Sequence, residues 1–518
     1  MIIRKPDSIF INGEYTAENT KVETELINGG LDVYLTSSGK IKFVQLHWNL
    51  KDDEIRREKI SILGDEFERG YGKISWQGLN YERIMPWYFA VSNGSDSVTD
   101  YSGRYTECFG VEVRPRAFCS WYYDGRGIDL ILDVRNGGIP VELGGRKLKA
   151  ATVFFKEYRN VSAFSALKSF CSVMSRNPLK TDKIIYGSNN WYYAYGRSSA
   201  EEIISDTELV ADLCKGCKNK PFMVIDDGWT PHRTTAPWVS NEKFGDMKAL
   251  AEKMNEKGVI PGIWVRFLYD EKFELDLPEE ARRNGCRERL DPTHPAVKSF
   301  ISETIDNIVS WGYKLIKHDF SSNDISLGVW GKDVGNYCFC SKEEGFYDKS
   351  KTTAEIVVEF YELILEHAKD TLLIGCNTFS HLCAGLVHAN RTGDDTSGRE
   401  WIQTRKMGVN SLAFRLCQNG SFYISDADCV GILGNNIDWK LNRQWLELLS
   451  KSGSALFVSC QPSKAEGEIA EDLMKNFAIA SEQKDEMIPL DWMENVAPER
   501  YLINGEEKVF NWSTDKRI

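Results

Sequence analysis

A chain of 518 residues has room for two or three domains, and 42% hydrophobic with 27% charged residues describes a folding sequence rather than a disordered one. Its formal net charge of −12 and pI near 5.3 argue against nucleic acid, whose phosphates need Lys and Arg, and against an anionic membrane surface. No run of about 18 apolar residues marks a membrane span, and the first residues, Met1 to Asp7, lack the apolar stretch of a secretory signal, so a cytoplasmic location is expected.

Residues 1–180 read as β. Short alternating runs such as Ile41-Lys42-Phe43-Val44-Gln45-Leu46 and Gly127 to Val134 are separated by turn signals, among them Asn28-Gly29-Gly30, Asn136-Gly137-Gly138 and Gly144-Gly145. This pattern predicts an N-terminal β-sandwich, with a helical connector at 167–174. Over 181–460 the pattern changes to strand–helix alternation. Strands are predicted at 184–188, 222–225, 259–265, 314–318, 372–376, 387–390, 422–425 and 455–459. Helices are predicted at 201–213, 247–257, 297–310, 353–368, 402–418 and 440–449. Eight β/α units in a span of this size predict a (β/α)8 TIM barrel, with a doubly wound open sheet as the alternative. The absence of a Gly-rich loop after any strand weakens a nucleotide-binding reading. Residues 461–518 predict a helix at 469–480 and strands at 500–503 and 508–512 around Asn504-Gly505, a small C-terminal β domain. The fold class is therefore multidomain α/β, a central barrel between a β-sandwich and a small β segment.

Thirteen cysteines are scattered along the chain without the spacing of a small disulfide scaffold. Cys214-Lys215-Gly216-Cys217 is half a zinc motif and reads as structural thiols; Cys338-Phe339-Cys340 has no sequence partner.

The chemistry concentrates at predicted strand ends. Phe222 to Ile225 runs into Asp226-Asp227, and Tyr313 to Ile316 into Lys317-His318-Asp319. Leu386 to Ala389 runs into Asn390-Arg391, with Asp394-Asp395 close behind. Ionised carboxylates resist burial unless something pairs with them, whereas the C-terminal strand tips of a barrel are where catalytic residues gather. Trp191, Arg266, Cys376, Asn377, Asp426 and Asp428 fall at the same end. No Gly-x-Ser-x-Gly elbow is present, and the seven His do not form a metal-ligand set. Clustered carboxylates suit either a hard cation or a glycosidase acid pair; the interspersed Lys317 and Arg391 favour the second, since a metal site leaves its carboxylates free. Lys317 and Asp319, two apart on a strand, point the same way, and the ammonium keeps the acid ionised. Several of these residues have plainer readings: Asp226-Asp227 as a helix cap and turn, Arg266 as a barrel ion pair, and Trp238, Trp264 and Trp401 as packing. His318 is expected to face away from the mouth, and loop-borne His232 is a candidate for substrate contact.

Tyr186-Gly187-Ser188-Asn189-Asn190-Trp191-Tyr192, Ile225-Asp226-Asp227-Gly228-Trp229, Leu315-Ile316-Lys317-His318-Asp319-Phe320 and Arg391-Thr392-Gly393-Asp394-Asp395, in that order, resemble the clan of retaining α-galactosidases, closest to glycoside hydrolase family 36 with family 27 as sister group. The resemblance implies hydrolysis of terminal α-D-galactosyl groups through a covalent glycosyl-enzyme, with no cofactor and no metal. Asp319 would be the nucleophile and Asp395 the general acid/base, with Asp394 as rival. Asp226, Asp227, Lys317 and Arg391 would bind sugar hydroxyls, and Trp191 and Trp229 would wall the site. Asp394, Cys376, Asn377, Asp428 and Arg266 complete the implied substrate-binding set. Two positions depart from the family pattern, Ser321 where Asn is usual and Thr396-Ser397 after Asp395, and they bear on sugar preference rather than fold. A galactosyl-transferring enzyme of the raffinose-synthase kind, a hydrolase of another α-glycoside, a metal hydrolase and a non-catalytic sugar-binding protein are the other readings. The expected partner is a small oligosaccharide or glycoside, with homo-oligomeric assembly compatible with the architecture.

Overall fold

The alternation seen between residues 8 and 159 builds two antiparallel sheets in the computed structural model, which describes residues 2–14, 18–56, 58–96, 100–327, 343–434, 436–482 and 486–513. One sheet holds, in spatial order, Ser8–Ile11, Phe43–Asn49, Gly127–Asp133, Phe118–Tyr123 and Met85–Pro86. The other holds Thr20–Ile27, Gly30–Ser37, Lys147–Arg159, Tyr105–Val111, Tyr88–Ser92 and Ser61–Gly64. Side chains alternate across a strand, so Val44, Leu46 and Trp48 are buried while their neighbours reach the surface. Trp48 meets Phe155 of the opposite sheet edge-on at 5.2 Å, and Phe89 stacks on Phe109 at 4.6 Å. Helix Ala163–Met174, capped by Ser162, then leads to the barrel.

Eight parallel strands close the barrel in sequence order: Tyr186–Asn189, Phe222–Ile225, Ile260–Val265, Leu315–His318, Leu372–Gly375, Ala389–Arg391, Ile424–Ile432 and Ala455–Cys460. The open-sheet alternative is thereby excluded. Helices start where the sequence provides caps: Ser199 accepts from Glu202 N, Asp246 from Lys248 and Ala249 N, and Thr352 and Glu355 form a reciprocal capping box at Thr353–Ala368.

Two expectations need correction. The helix expected over 402–418 is broken into Trp401–Gln403, a π-helical stretch Thr404–Asn410, Ser411–Arg415 and a 3-10 turn Leu416–Gln418. Gly408 lies there against the Trp445 ring, and Gly393 against the Met407 carbonyl; periodicity does not encode such neighbours. The seventh strand, expected at 422–425, runs Ile424–Ile432, because it continues past a register shift between Asp426 and Cys429, where Asp428 adopts φ 71°.

After helix Gly467–Ala480, strands Met487–Pro489, Arg500–Ile503 and Glu506–Val509 form a small antiparallel sheet. Trp492 from this segment donates to Asp96 of the sandwich at 2.8 Å and packs on Phe414 of the barrel. Cys214 and Cys217 are free thiols, while Cys338 and Cys340 lie outside the described residues. Among the described residues no helix is long and apolar enough to cross a membrane.

Candidate active site

The C-terminal strand tips surround a cavity of about 380 Å³. Asp319 follows the fourth strand directly. The next residue, Phe320, turns left-handed at φ 60°, so its N–H points back at Asp319 Oδ1 at 2.6 Å. The same oxygen accepts from Asn377 Nδ2 at 2.6 Å, and Oδ2 accepts from Trp264 Nε1 at 3.0 Å. Burial pushes this carboxyl up, but Lys317, Arg69 and the donors Trp264 and Asn377 outweigh it and hold Asp319 below the usual carboxylate range.

Lys317 does face the cavity with Asp319, but its Nζ bonds Asp226 Oδ2 at 2.7 Å, so it acts on Asp319 through its charge alone. Asp226 Oδ2 also accepts from Asn189 at 2.7 Å, and Oδ1 from the Asp227 N–H at 3.0 Å. Asp227 accepts from the Thr234 N–H at 2.8 Å, with Arg233 at 3.4 Å. Burial, with Asp226 adding to it, leaves Asp227 above the usual range in spite of these two partners.

On the other side, Arg391 Nη2 reaches Asp395 Oδ1 at 3.2 Å and Asp428 Oδ2 at 3.1 Å, while its Nη1 donates to Cys376 Sγ at 3.4 Å. Asp428 also accepts from the Thr396 N–H at 2.8 Å and from the Tyr192 hydroxyl. Burial raises Asp395 above the usual carboxylate range; Arg391 and Arg69 pull it down, Asp428 and Asp394 push it up, and the net is upward. The Asp395 side chain is still 46% exposed, toward the cavity, against 28% for Asp394.

Trp191, Asp226, Asp227, Lys317, Asp319, Asn377, Arg391, Asp394 and Asp395 thus line one cavity. Four residues of the implied set do not reach its wall. Trp229 is fully buried, donates Nε1 to the Trp264 carbonyl at 2.9 Å and packs on Trp238 and Trp311. Arg266 makes a buried two-point pair with Asp324 at 2.9 and 2.6 Å, sandwiched against Tyr269 and Phe320. Cys376 and Asp428 sit behind Arg391 and hold it. Asp426 is likewise buried behind the wall and accepts from the Asp428 N–H at 3.0 Å. His318 is enclosed by Phe267 and Tyr361, and burial drives its pKa down to about 4, so it stays neutral. His232 pairs with Glu274 at 2.8 Å and is absent from the cavity wall.

Sequence reasoning missed the wall residues Trp264, Thr234, Phe320, Arg69 and Tyr71. Trp264, expected as packing, sits on the third strand, lines the cavity and donates its Nε1–H to Asp319. Arg69 and Tyr71 come from the sandwich; the charged run Asp65-Glu66-Phe67-Glu68-Arg69 between β segments is their faint signal.

The sequence matches no protein-family model and no curated protein. Solved structures resemble it throughout. The α-galactosidase TtGalA from Thermus thermophilus, solved with p-nitrophenyl α-D-galactopyranoside, shares 15% identity over 98% of each chain at a TM-score of 0.62. The GH36 α-galactosidase AgaA from Geobacillus stearothermophilus shares 12% identity over 92% of this chain and 76% of that one, at a TM-score of 0.61. The galactosidase domain of the α-galactosidase–sucrose kinase AgaSK shares 15% identity over 90% and 66% of the two chains, at a TM-score of 0.61. The chain therefore has the fold of the glycoside hydrolase family 36 α-galactosidases.

Proposed function

We propose that the protein is a retaining α-glycosidase acting on terminal α-D-galactosyl groups of oligosaccharides or glycosides. One observation carries this reading: two carboxyls on the wall of one cavity, Asp319 and Asp395, have environments that push their protonation in opposite directions. An ionised nucleophile beside a protonated acid is what glycoside hydrolysis with retention requires. The fold shared with galactoside-binding structures adds support.

In the first step an Asp319 oxygen bonds to the anomeric carbon as the bond to the leaving oxygen breaks, and Asp395 gives that oxygen its proton. In the second step Asp395, now a carboxylate, takes a proton from water as the water oxygen bonds to the anomeric carbon and Asp319 leaves. The sugar is released and both carboxyls regain their starting states. Trp264 and Asn377 each spend a donor on Asp319, which fixes the direction from which its oxygens approach. Asp226, Asp227 and Lys317 offer acceptors and a donor to ring hydroxyls, and Trp191 an apolar face.

A panel of nitrophenyl α- and β-glycosides tests the assignment. Hydrolysis of the α-galactoside is expected from the wild type, with loss to background in Asp319→Ala. Activity confined to β-linked sugars, or an Asp319→Ala protein as active as the parent, refutes it.

A further inference from the structure

The loop that carries the two adjacent acids is held by a different domain. Gly70 of the sandwich donates its N–H to the Thr392 carbonyl at 2.8 Å and accepts from the Asp394 N–H at 3.0 Å, which pairs Gly70 with Gly393 as a short parallel bridge. From the same turn the buried Arg69 guanidinium reaches Asp394 Oδ1 at 2.7 Å and stands 3.7 Å from Asp395 Oδ1. Asp394 Oδ1 also accepts from the Asp395 N–H at 2.8 Å, so one oxygen takes both a guanidinium and the backbone of its neighbour.

These contacts separate two chemically identical side chains. Asp394 is tied to Arg69 and to the loop backbone, whereas Asp395 faces the cavity with the larger exposed share. We propose that Arg69 is a positioning residue: by gripping Asp394 from the sandwich it sets the loop so that Asp395, and not Asp394, presents its carboxyl to the leaving oxygen. The inference rests on the glycosidase reading and names which acid serves it and what aims that acid. A general acid contributes about 10²–10⁴-fold, and only where the leaving group needs a proton. A loss of aim therefore falls on poor leaving groups, while a general loosening of the fold falls on all substrates alike.

The experiment compares a methyl with a 2,4-dinitrophenyl α-galactoside on the full-length chain. Asp395→Ala is the reference and is expected to lose the methyl glycoside selectively. Arg69→Met is expected to reduce kcat/KM on the methyl glycoside at least about tenfold more than on the dinitrophenyl one, with partial recovery in Arg69→Lys. If Arg69→Met fails to fold, Asp394→Ala removes the same contact from the barrel side and must give the same split. Equal losses on both substrates, an unchanged ratio in Asp394→Ala, or a selective loss in Asp394→Ala with none in Asp395→Ala overturns the proposal. A wild type inactive on both glycosides overturns the α-galactosidase reading, and the proposal with it.

Discussion

Asp319 and Asp395 have the same side chain and differ only in what surrounds them. Asp319 receives three hydrogen bonds and the charges of Lys317 and Arg69; Asp395, half-exposed to the cavity, stands beside Asp428 and Asp394, with Arg391 and Arg69 as partial compensation. In the proposed mechanism the active form holds Asp319 ionised and Asp395 protonated. As pH rises, the rate should climb where Asp319 loses its proton, below the ordinary carboxylate range, and fall where Asp395 loses its own, above that range. A kcat/KM–pH profile on the α-galactoside checks this, and Asp395→Ala, measured on a dinitrophenyl substrate, should lose the alkaline limb while keeping the acid one. Arg391 shows how much at this scale is support: it touches Asp395, Asp428 and Cys376 together, so its partners orient it before it orients anything else.

At the scale of elements, the decisive piece is the segment after the sixth strand, which turns at Gly393 and leans on the π-helical stretch Thr404–Asn410. A Cβ at Gly393 would lie 1.9 Å from the Met407 carbonyl and 2.7 Å from Ser411 Oγ. The first neighbour is backbone and cannot swing aside. Gly393→Ala should therefore shift the Asp394-Asp395 turn and lower kcat by roughly 10²-fold, as misplacement by about an ångström does, with a smaller change in KM. Steady-state kinetics decides this, and a variant with wild-type kcat would show that the turn does not need its present path. The break in regular helix beside this turn agrees with the tendency of π-bulges to mark functional sites.

For the whole molecule, the sandwich is part of the unit that walls the cavity and not an appendage. Arg415 of the barrel is buried and pairs with Asp65 of the sandwich at 2.9 Å, Gln418 donates to the same carboxylate at 2.8 Å, and Arg415 Nη1 donates to the Thr392 carbonyl at 3.1 Å. Removing one partner of a buried pair leaves an uncompensated charge, so Asp65→Ala should destabilise the protein by about 3–5 kcal/mol. Chemical denaturation measures it, and a change under about 1 kcal/mol would show that the pair is solvated. The barrel and its strand-tip acids were legible in the sequence because both are local patterns: apolar runs of strand length between amphipathic helices, several of them ending in Asp, Lys or Arg. Side-chain alternation alone put Lys317 and Asp319 on one face and turned His318 away. Trp229 was set on the wall, and Arg266 was left open between substrate contact and the ion pair it makes, because adjacency along the chain does not say which ring or guanidinium turns inward. Trp264, Arg69 and Tyr71 were missed because they reach the cavity from a neighbouring strand and a separate domain. The order of strands and the identity of the acids are properties of contiguous sequence. The direction of each carboxyl and its protonation depend also on groups from other elements, Trp264 and Asn377 for Asp319 and Arg69 for both, since burial and charge act through space.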